Sequence, residues 1–335
     1  MAITGHTGIP PFLNVFATPS VSIAATTEAP YCSGADVTFN ATIVAPALQY
    51  LNTYYFTING ITASGKVLTM TTNSLVDGDV VRFVMVHKNG SVYYSNSIVA
   101  AVELCINYGL LYNWYAATDV RNITSAGDFI VPSKVNWETL LDYIDDYDEV
   151  SGRWNLAGGL LKSIGLDFWN TPNEGAVNSY NFNARGAGGR QFEGVFGAGD
   201  TVIKEFSGFI SKSEYDIDNI WTTVINNLYA DASVITNSKK DGLSIRLVRP
   251  ATESEQLLAD GTACEHYIGN DGKIYRTVKI GTQVWLASNL AETKFRNGNY
   301  LHGYEGGSYQ AISDVDWSNL VSEGVCCYND DINLI

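Results

Sequence analysis

The chain has 335 residues, of which 46% are hydrophobic and 16% are charged, and its net charge is −15. This profile excludes a disordered chain, because disorder requires low hydrophobicity and high charge. With 20 Lys and Arg against 35 Asp and Glu, no positive excess exists to neutralise a phosphate backbone, so we expect no nucleic-acid partner. No run approaches the roughly 18 apolar residues of a membrane helix, so we expect no membrane insertion.

Residues 1–20 are predicted to form an extended N-terminal anchoring arm, since a Pro-Pro pair blocks any helix. The arm has no Lys or Arg and no continuous apolar core, so we expect no signal peptide. Hydrophobic side chains favour docking on a neighbouring protein over a free polar tail. These anchoring residues are Phe12, Leu13, Val15 and Phe16.

Residues 21–103 are predicted to form a β-sandwich. Strict alternation in ADVTFNATIVA places Val37, Phe39, Ala41 and Ile43 on one face of a strand. Asn-Gly pairs at 59–60 and 89–90 predict tight hairpin turns. The runs YCSGADVTFNAT, YYFTINGITASG and TTNSLVDGDVVRFVM resemble the Ig-like repeats of Bacteroidetes surface proteins.

Residues 104–249 mix a helix with strands and loops. In VPSKVNWETLLDYIDD, Ser133 is predicted to cap a helix by accepting a backbone N–H bond. The helix then buries one stripe at i, i+3, i+4 and i+7, made of Trp137, Leu140, Leu141 and Ile144. GLSIRLVRP at 242–250 is predicted to be a strand.

The acidic, unpatterned residues 250–269 are predicted to be a linker, followed by a final segment at 270–335. Within that segment KIYRTVKI and QVWLASNL flank Gly281-Thr282. Such a pair predicts a two-residue hairpin turn in which the glycine has positive φ.

Two stretches carry a further resemblance. DGKIYRTVKIGTQVWLASNL with FRNGNYL, WSNL and CCYNDD resembles the first half of the Fibrobacter succinogenes major paralogous domain. Its second half resembles another set of runs, namely NYGLLYNWYAA, VPSKVNWETL, and the stretch from DFWNTPNEGAVNSYNFNARGAGGR through NSKKDGLSIRLVRP. That domain is similar to the C-type lectin fold, in which the first and last strands are neighbours. The resemblance implies a mostly β, α+β chain, with an Ig-like β-sandwich followed by a C-type-lectin-like domain.

The two halves stand in reverse order, with 104–249 as the second half and 270–335 as the first half of the same domain. This order indicates a circular permutation, which is tolerated when the original termini are neighbours. The final hairpin then completes either its own chain's domain or, in a swapped oligomer, that of a neighbour.

Motifs for chemistry are lacking in the sequence. The five cysteines and four histidines are not clustered, and adjacent Cys326 and Cys327 would point to opposite faces of a strand, so we expect no metal site and no cofactor. The acidic run at 142–149 breaks the EF-hand pattern and is interpreted as a solvated helix end. No GxSxG or HExxH motif occurs, and we expect the protein not to be an enzyme.

A recognition site is instead expected in the stretch before 242. In C-type-lectin-like adhesins the variable ligand face occupies this place, and here it offers aromatic and hydrogen-bonding side chains. The candidate ligand-binding residues are Tyr215, Asp216, Asp218, Asn226 and Tyr229, with ordinary loop residues as the alternative interpretation. Trp221 matches a family tryptophan and is expected in the core.

Both resemblances, with the missing export signal, lead us to expect a virion protein of a phage that infects such bacteria. It would be made in the host cytoplasm and displayed on the virion surface as a head fibre, capsid decoration or tail-associated protein. Its partners would be other virion proteins, copies of itself with a trimer favoured, and a host glycan or surface protein. The alternatives are a bacterial cell-surface adhesin and, in third place, an intracellular sugar-binding or catalytic module.

Overall fold

A computed structural model divides the chain into two compact units, Met1–Cys105 and Ile106–Ile335. The chain is mostly β with a few short helices, which confirms the β-rich α+β class. The residues that the structure describes are 20–25, 31–32, 37–45, 51–72, 79–88, 90–99, 102–103, 108–197 and 201–335. In these ranges no helix has the length and apolar character needed to cross a membrane.

The described part of the N-terminal unit consists of β-strands, most of them paired antiparallel. Its strands are β1 (Ser20–Ala25), β2 (Tyr31–Cys32), β3 (Val37–Ala45), β4 (Leu51–Ile58), β5 (Ile61–Thr62), β6 (Thr69–Thr72), β7 (Val80–His87), β8 (Val92–Tyr94), β9 (Ile98–Val99) and β10 (Val102–Glu103). One sheet has the order β1-β3-β6, and the other has the order β5-β4-β7-β8 with β9 also paired to β7. Strands β2 and β10 form a separate parallel pair.

Both sheets contribute to one hydrophobic core, which gives the unit its sandwich form. Val37 and Phe39 are buried from the first sheet, with Ala41 and Ile43 packed against the same core, so the alternation predicted for this strand is confirmed. In the second sheet the rings of Phe56 and Phe83 pack edge to face, with 4.9 Å between their centroids. The Ig-like assignment of this sandwich stays a prediction.

The turn predicted at Asn59-Gly60 is confirmed. Ile58 pairs with Ile61 across it, and both turn residues have positive φ, 51° and 79°, as a type I′ turn requires. Gly90 has φ 89° between β7 and β8, but Asn89 lies outside the described residues.

The C-terminal unit has small sheets and short helices. Its strands are β11 (Leu111–Tyr112), β12 (Tyr147–Asp148), β13 (Arg153–Trp154), β14 (Phe206–Glu214), β15 (Asn219–Asn226), β16 (Ser233–Ser238), β17 (Val248–Pro250), β18 (Ala263–Ile268), β19 (Ile274–Ile280), β20 (Gln283–Leu286), β21 (Tyr304–Glu305), β22 (Ser308–Tyr309) and β23 (Val325–Cys326). Its helices are α1 (Trp114–Thr118), α2 (Lys134–Ile144), α3 (Ala157–Leu161), α4 (Glu253–Gln256) and α5 (Asp314–Asn319), with 3-10 turns at Tyr328–Asp330 and Ile332–Leu334.

A four-stranded antiparallel sheet of order β17-β20-β19-β18 unites the two stretches of this unit. In it the hairpin β19–β20 pairs with β17 of the same chain, with Val248 opposite Trp285. The sheet lies between two hydrophobic clusters, because Val284 and Leu286 enter one and Trp285 enters the other. All four residues of β20 are therefore buried.

A second link between the two stretches is the pair β11–β23, with Leu111 opposite Cys326. Near it the backbone N–H of Tyr108 donates to the carbonyl of Leu334 at 2.9 Å. Cys326 and Cys327 enter different hydrophobic clusters, which confirms that they face opposite sides.

Helix α2 forms as its sequence predicts. Ser133 accepts a hydrogen bond from the N–H of Asn136, whose side chain accepts one from the N–H of Ser133 in return, completing a capping box. The predicted stripe is the buried face of the helix, and Trp137 packs against Trp285 at 4.6 Å between ring centroids. Both predictions for this helix are confirmed.

Two predicted segment types need correction. The strand expected at 242–250 is reduced to β17, because Leu243 pairs with Tyr112 and Ser244 bridges to Phe209, so the segment changes partners along its length. The linker expected at 250–269 contains α4, whose N-terminus has a capping box, and β18, which pairs with β19. Local capping and strand pairing order a segment whose composition shows no pattern.

Candidate functional site

The predicted ligand-binding residues fall into two groups. Tyr215, Asp216 and Asp218 lie in the turn between β14 and β15, whereas Asn226 ends β15 and Tyr229 lies in the following loop. Strand β15 is eight residues long, and at roughly 3.3 Å per residue its ends are about 23 Å apart. The five residues therefore do not form one ligand-binding patch.

Asp216 organises the turn between β14 and β15. Its Oδ1 accepts hydrogen bonds from the N–H groups of Asp218 at 2.9 Å and Asn219 at 2.8 Å, and the Asn219 side chain reaches both carboxylate oxygens. These bonds, led by that from the Asn219 side chain, hold the pKa of Asp216 below its ordinary value. The carboxylate is thus occupied by the turn itself.

Asn226 organises the loop at the other end of β15. Its Oδ1 accepts hydrogen bonds from the N–H groups of Leu228 and Tyr229 at 2.9 and 3.0 Å. The backbone carbonyls of Asn226 and Tyr229 each accept a bond from the buried Lys162 ammonium at 2.9 Å. The side chains of Leu228 and Tyr229 are each 55% exposed, so both are open to a ligand.

The predicted anchoring residues Phe12, Leu13, Val15 and Phe16 lie outside the described residues. Their role stays a prediction.

A groove with a volume of about 500 Å³ lies beside α2. It is a better candidate for a ligand-binding site than the two loops at the ends of β15, because aromatic and charged side chains line it together. One wall is a polar row of α2, made of the half-buried Lys134 and Glu138 and the exposed Asp142. Residues four apart lie one above the other on a helix, so these three polar side chains face the same way, beside the buried stripe. The Lys134 ammonium forms an ion pair with the Glu138 carboxylate.

The opposite wall is the hairpin β12–β13. Its Tyr147 is 43% exposed and packs against the buried Trp154 at 4.7 Å between ring centroids. The indole N–H of Trp154 donates to Asp142 Oδ1 at 2.9 Å, which joins the hairpin to α2. Trp154 also bridges to Ala232 just before β16. The indole on which Tyr147 packs is therefore fixed by α2, by its own hairpin and by the segment before β16.

The floor of the groove is Trp221 of β15 with Val234 of β16. They share a face of the sheet, because Val234 lies opposite Thr223, two residues along the strand from Trp221. The Lys134 ammonium lies 4.9 Å from the Trp221 ring, and Tyr215 meets that ring edge-on at 5.1 Å. The expectation that Trp221 belongs to the core is corrected: it is half-buried and lines the groove.

The groove carries more negative than positive charge. Three carboxylates line it, those of Glu138, Asp142 and Glu149, against the single ammonium of Lys134. Carboxylates accept hydrogen bonds, and exposed aromatic rings stack on apolar faces. The arrangement therefore suits a ligand that combines hydrogen-bond donors with a flat apolar surface, as sugars do.

The groove is not among the sites expected from the sequence, although two sequence signals point to it. The four-residue spacing of Lys134, Glu138 and Asp142 marks one polar face of the helix. The acidic run at 142–149, interpreted as a solvated helix end, in fact leaves the helix after Ile144 and enters the hairpin. Asp148 shapes that hairpin by accepting bonds from Asn155, Val150 and Ser151, and these, led by the Asn155 side chain, lower its pKa to about 2.

The described residues contain no group of three or more His, Cys, Asp or Glu side chains arranged to hold a metal ion. The groups in the groove that can contact a ligand are its aromatic rings, its three carboxylates and the Lys134 ammonium.

The fold and the groove define a β-rich α+β protein with an open, aromatic and acidic cleft. The family model of the Fibrobacter succinogenes major domain matches residues 65–249, more than half of the chain. The chain belongs to this family. Comparison with curated proteins found no match, and comparison with solved structures found none.

The matched range includes α2, the hairpin β12–β13 and the sheet β14–β15–β16, and so every residue that lines the groove. It begins within the N-terminal unit and ends before 270–335. The assignment of 270–335 to the first half of the same family domain, and with it the permutation, stays a prediction.

Proposed function

We propose that this chain is a non-enzymatic surface-display protein whose C-terminal unit binds a glycan in the groove between α2 and the hairpin β12–β13. The observation that carries the proposal is the exposed ring of Tyr147 facing a cleft floored by Trp221 and lined by acceptor carboxylates. Aromatic rings give a sugar its stacking surface, and carboxylates accept its hydroxyl protons.

A binding role fits the partners of these carboxylates better than a catalytic one. Glu138 is held by Lys134, and Asp142 is held by the Trp154 indole. These two bonds fix the walls of the cleft, as the preorganised side chains of a binding site require. The C-type-lectin-like fold is part of the same proposal, and its support is the resemblance of the sequence.

The test is a glycan array probed with the full chain, followed by titration calorimetry with a glycan that the array selects. We expect Tyr147→Ala and Trp221→Ala to weaken binding at least tenfold, because each removes a stacking ring. Tyr229→Ala is the matched control, since it removes an exposed tyrosine that lies outside the groove. Loss of binding in the control with full binding in the groove variants would move the site to the loop after β15.

We place this protein on the surface of a virion, as a head fibre, capsid decoration or tail-associated protein joined to other virion proteins through its N-terminal residues. The support is the resemblance to Bacteroidetes surface modules and the apolar character of residues 12–16. A bacterial cell-surface adhesin is equally compatible with the family. Antibody labelling of purified particles and of fractions from uninfected cells separates the two, because only a virion protein requires the particle.

A further inference from the structure

We propose that the groove selects amino sugars, whose amines carry positive charge, over neutral and acidic sugars. This inference rests on the proposed function and adds the chemical class of the ligand. Three features of the groove carry it, namely the balance of its charges, the ammonium group that it already holds, and the mixture of rings with acceptors.

The charge balance follows from the hydrogen bonds of the walls. Lys134 contacts Oε1 of Glu138, and the Trp154 indole contacts Oδ1 of Asp142, which leaves the second oxygen of each carboxylate without a partner among the described residues. The exposed Glu149 carboxylate has no bond to any described residue. Each free oxygen is an acceptor, and together they repel an anionic ligand.

The Lys134 side chain shows how the groove accommodates an ammonium group. Its Nζ lies 4.9 Å from the Trp221 ring centroid while it contacts the Glu138 carboxylate. A ring face and a carboxylate together favour a cation, because the ring quadrupole and the negative charge add. The opposite wall also offers a ring and a carboxylate, those of Tyr147 and Glu149, and neither residue forms an ion pair or cation-π contact with a described residue.

A sugar fits this cleft better than a basic peptide does. Its volume of about 500 Å³ falls in the range of small-ligand clefts. The groove also offers both acceptors and donors, since the Tyr147 hydroxyl, the Trp221 indole and the Lys134 ammonium stand beside the carboxylates. Ring hydroxyls donate and accept, and therefore use both kinds of group, whereas a lysine side chain only donates.

The experiment compares trisaccharides whose sugar units are cationic, neutral or anionic. Titration calorimetry of the full chain at about pH 6, where the sugar amines are protonated, uses a glucosamine trimer, the N-acetylglucosamine trimer and a galacturonate trimer. We expect the glucosamine trimer to bind at least fivefold more tightly than its acetylated counterpart, and the galacturonate trimer to bind least. Glu149→Gln should bring the first two affinities to within twofold of each other.

The control is Glu305→Gln, which removes the same charge from an exposed site outside the groove and should leave the ratio unchanged. Glu149 is exposed and unbonded, so its loss should not disturb folding. Equal affinity for the amine and acetylated trimers overturns the inference and leaves the proposed glycan site standing. If a lysine tripeptide binds more tightly than the glucosamine trimer, the sugar class is wrong; if no saccharide binds, the proposed function fails as well.

Discussion

At the scale of single residues, buried charge has the clearest consequences for stability. Lys162 is fully buried and donates hydrogen bonds to the carbonyls of Glu174, Asn226 and Tyr229 at 2.7, 2.9 and 2.9 Å. Burial lowers its pKa to about 8, so the side chain is still charged at neutral pH. One ammonium thus ties the loop at Glu174 to the end of β15 and to the loop that follows it.

We expect Lys162→Met to lower the free energy of unfolding by about 3 kcal/mol, because three carbonyls lose the donor that the buried ammonium supplies. The measurement is urea unfolding followed by fluorescence. Lys212→Met is the matched control, since Lys212 is exposed and its loss should change the free energy by less than about 0.5 kcal/mol. A similar loss in both variants would show that the carbonyl cage does not stabilise the fold.

Glu292 makes the stability of the C-terminal unit depend on pH. Its carboxyl is fully buried and accepts bonds from the N–H groups of Asn270 at 2.6 Å and Asp271 at 2.9 Å. Burial, and next the negative charge of Asp271, raise its pKa from 4.5 to about 8. Between these values the folded state holds a proton that the unfolded state has released, so stability falls as pH rises through this window.

We expect Glu292→Gln to flatten that dependence, because the amide stays neutral at every pH. The difference between the free energies of unfolding at about pH 5 and pH 8 should shrink by on the order of 2 kcal/mol. Urea unfolding of both proteins at the two pH values measures it. An unchanged difference would mean that Glu292 is ionised in the folded protein throughout.

At the scale of elements, the hairpin β19–β20 depends on its turn. Gly281 has φ 58°, and a Cβ built there would lie 2.9 Å from the ring of Tyr143. That ring is held in place, because its hydroxyl donates to Asp260 at 2.8 Å and Asp260 accepts the N–H of Gly281 at 2.9 Å. The turn predicted at Gly281-Thr282 is confirmed, and it packs against the C-terminal end of α2.

We expect Gly281→Ala to cost about 1–2 kcal/mol more than Gly298→Ala. Gly298 also has positive φ, 87°, but a Cβ there meets no atom within 4 Å. The difference in thermal unfolding between the two variants therefore isolates the contact with Tyr143. Equal costs would show that the ring moves aside.

The elements also show which features a sequence can reveal. The cap at Ser133, the stripe of α2 and the turn at 281–282 were predictable because each rests on residues a few positions apart. The groove was not predictable, because its lining comes from α2, from the hairpin β12–β13 with strands of two residues each, and from a sheet distant in the sequence. Half-burial of Trp221 likewise depends on Lys134, which lies 87 positions away in the sequence.

At the scale of the whole molecule, the first and last described residues of the C-terminal unit lie next to each other. The contact between Tyr108 and Leu334 and the pair β11–β23 bring its first and last described residues together. Residues between Leu257 and Gly261 join α4 to β18 at the surface. This geometry is what a circular permutation requires.

We expect a relinked unit to fold when a short Gly-Ser linker joins Ile335 to Tyr108 and the chain is opened between Leu257 and Gly261. All strand pairings inside the unit survive that change, so the thermal unfolding temperature should shift by a few degrees at most. The control uses the same linker but opens α2 between Leu140 and Leu141, which are buried in the core, and should not fold. If the first variant also fails, the proposed order of the two halves is wrong.

The pairing of β11 with β23 also determines how the unit responds to mechanical load. Leu111 and Cys326 form the rung nearest to Tyr108 and Ile335, and Tyr112 and Val325 form the next. Pulling Tyr108 and Ile335 apart would open these rungs one after another, like a zipper, at low force.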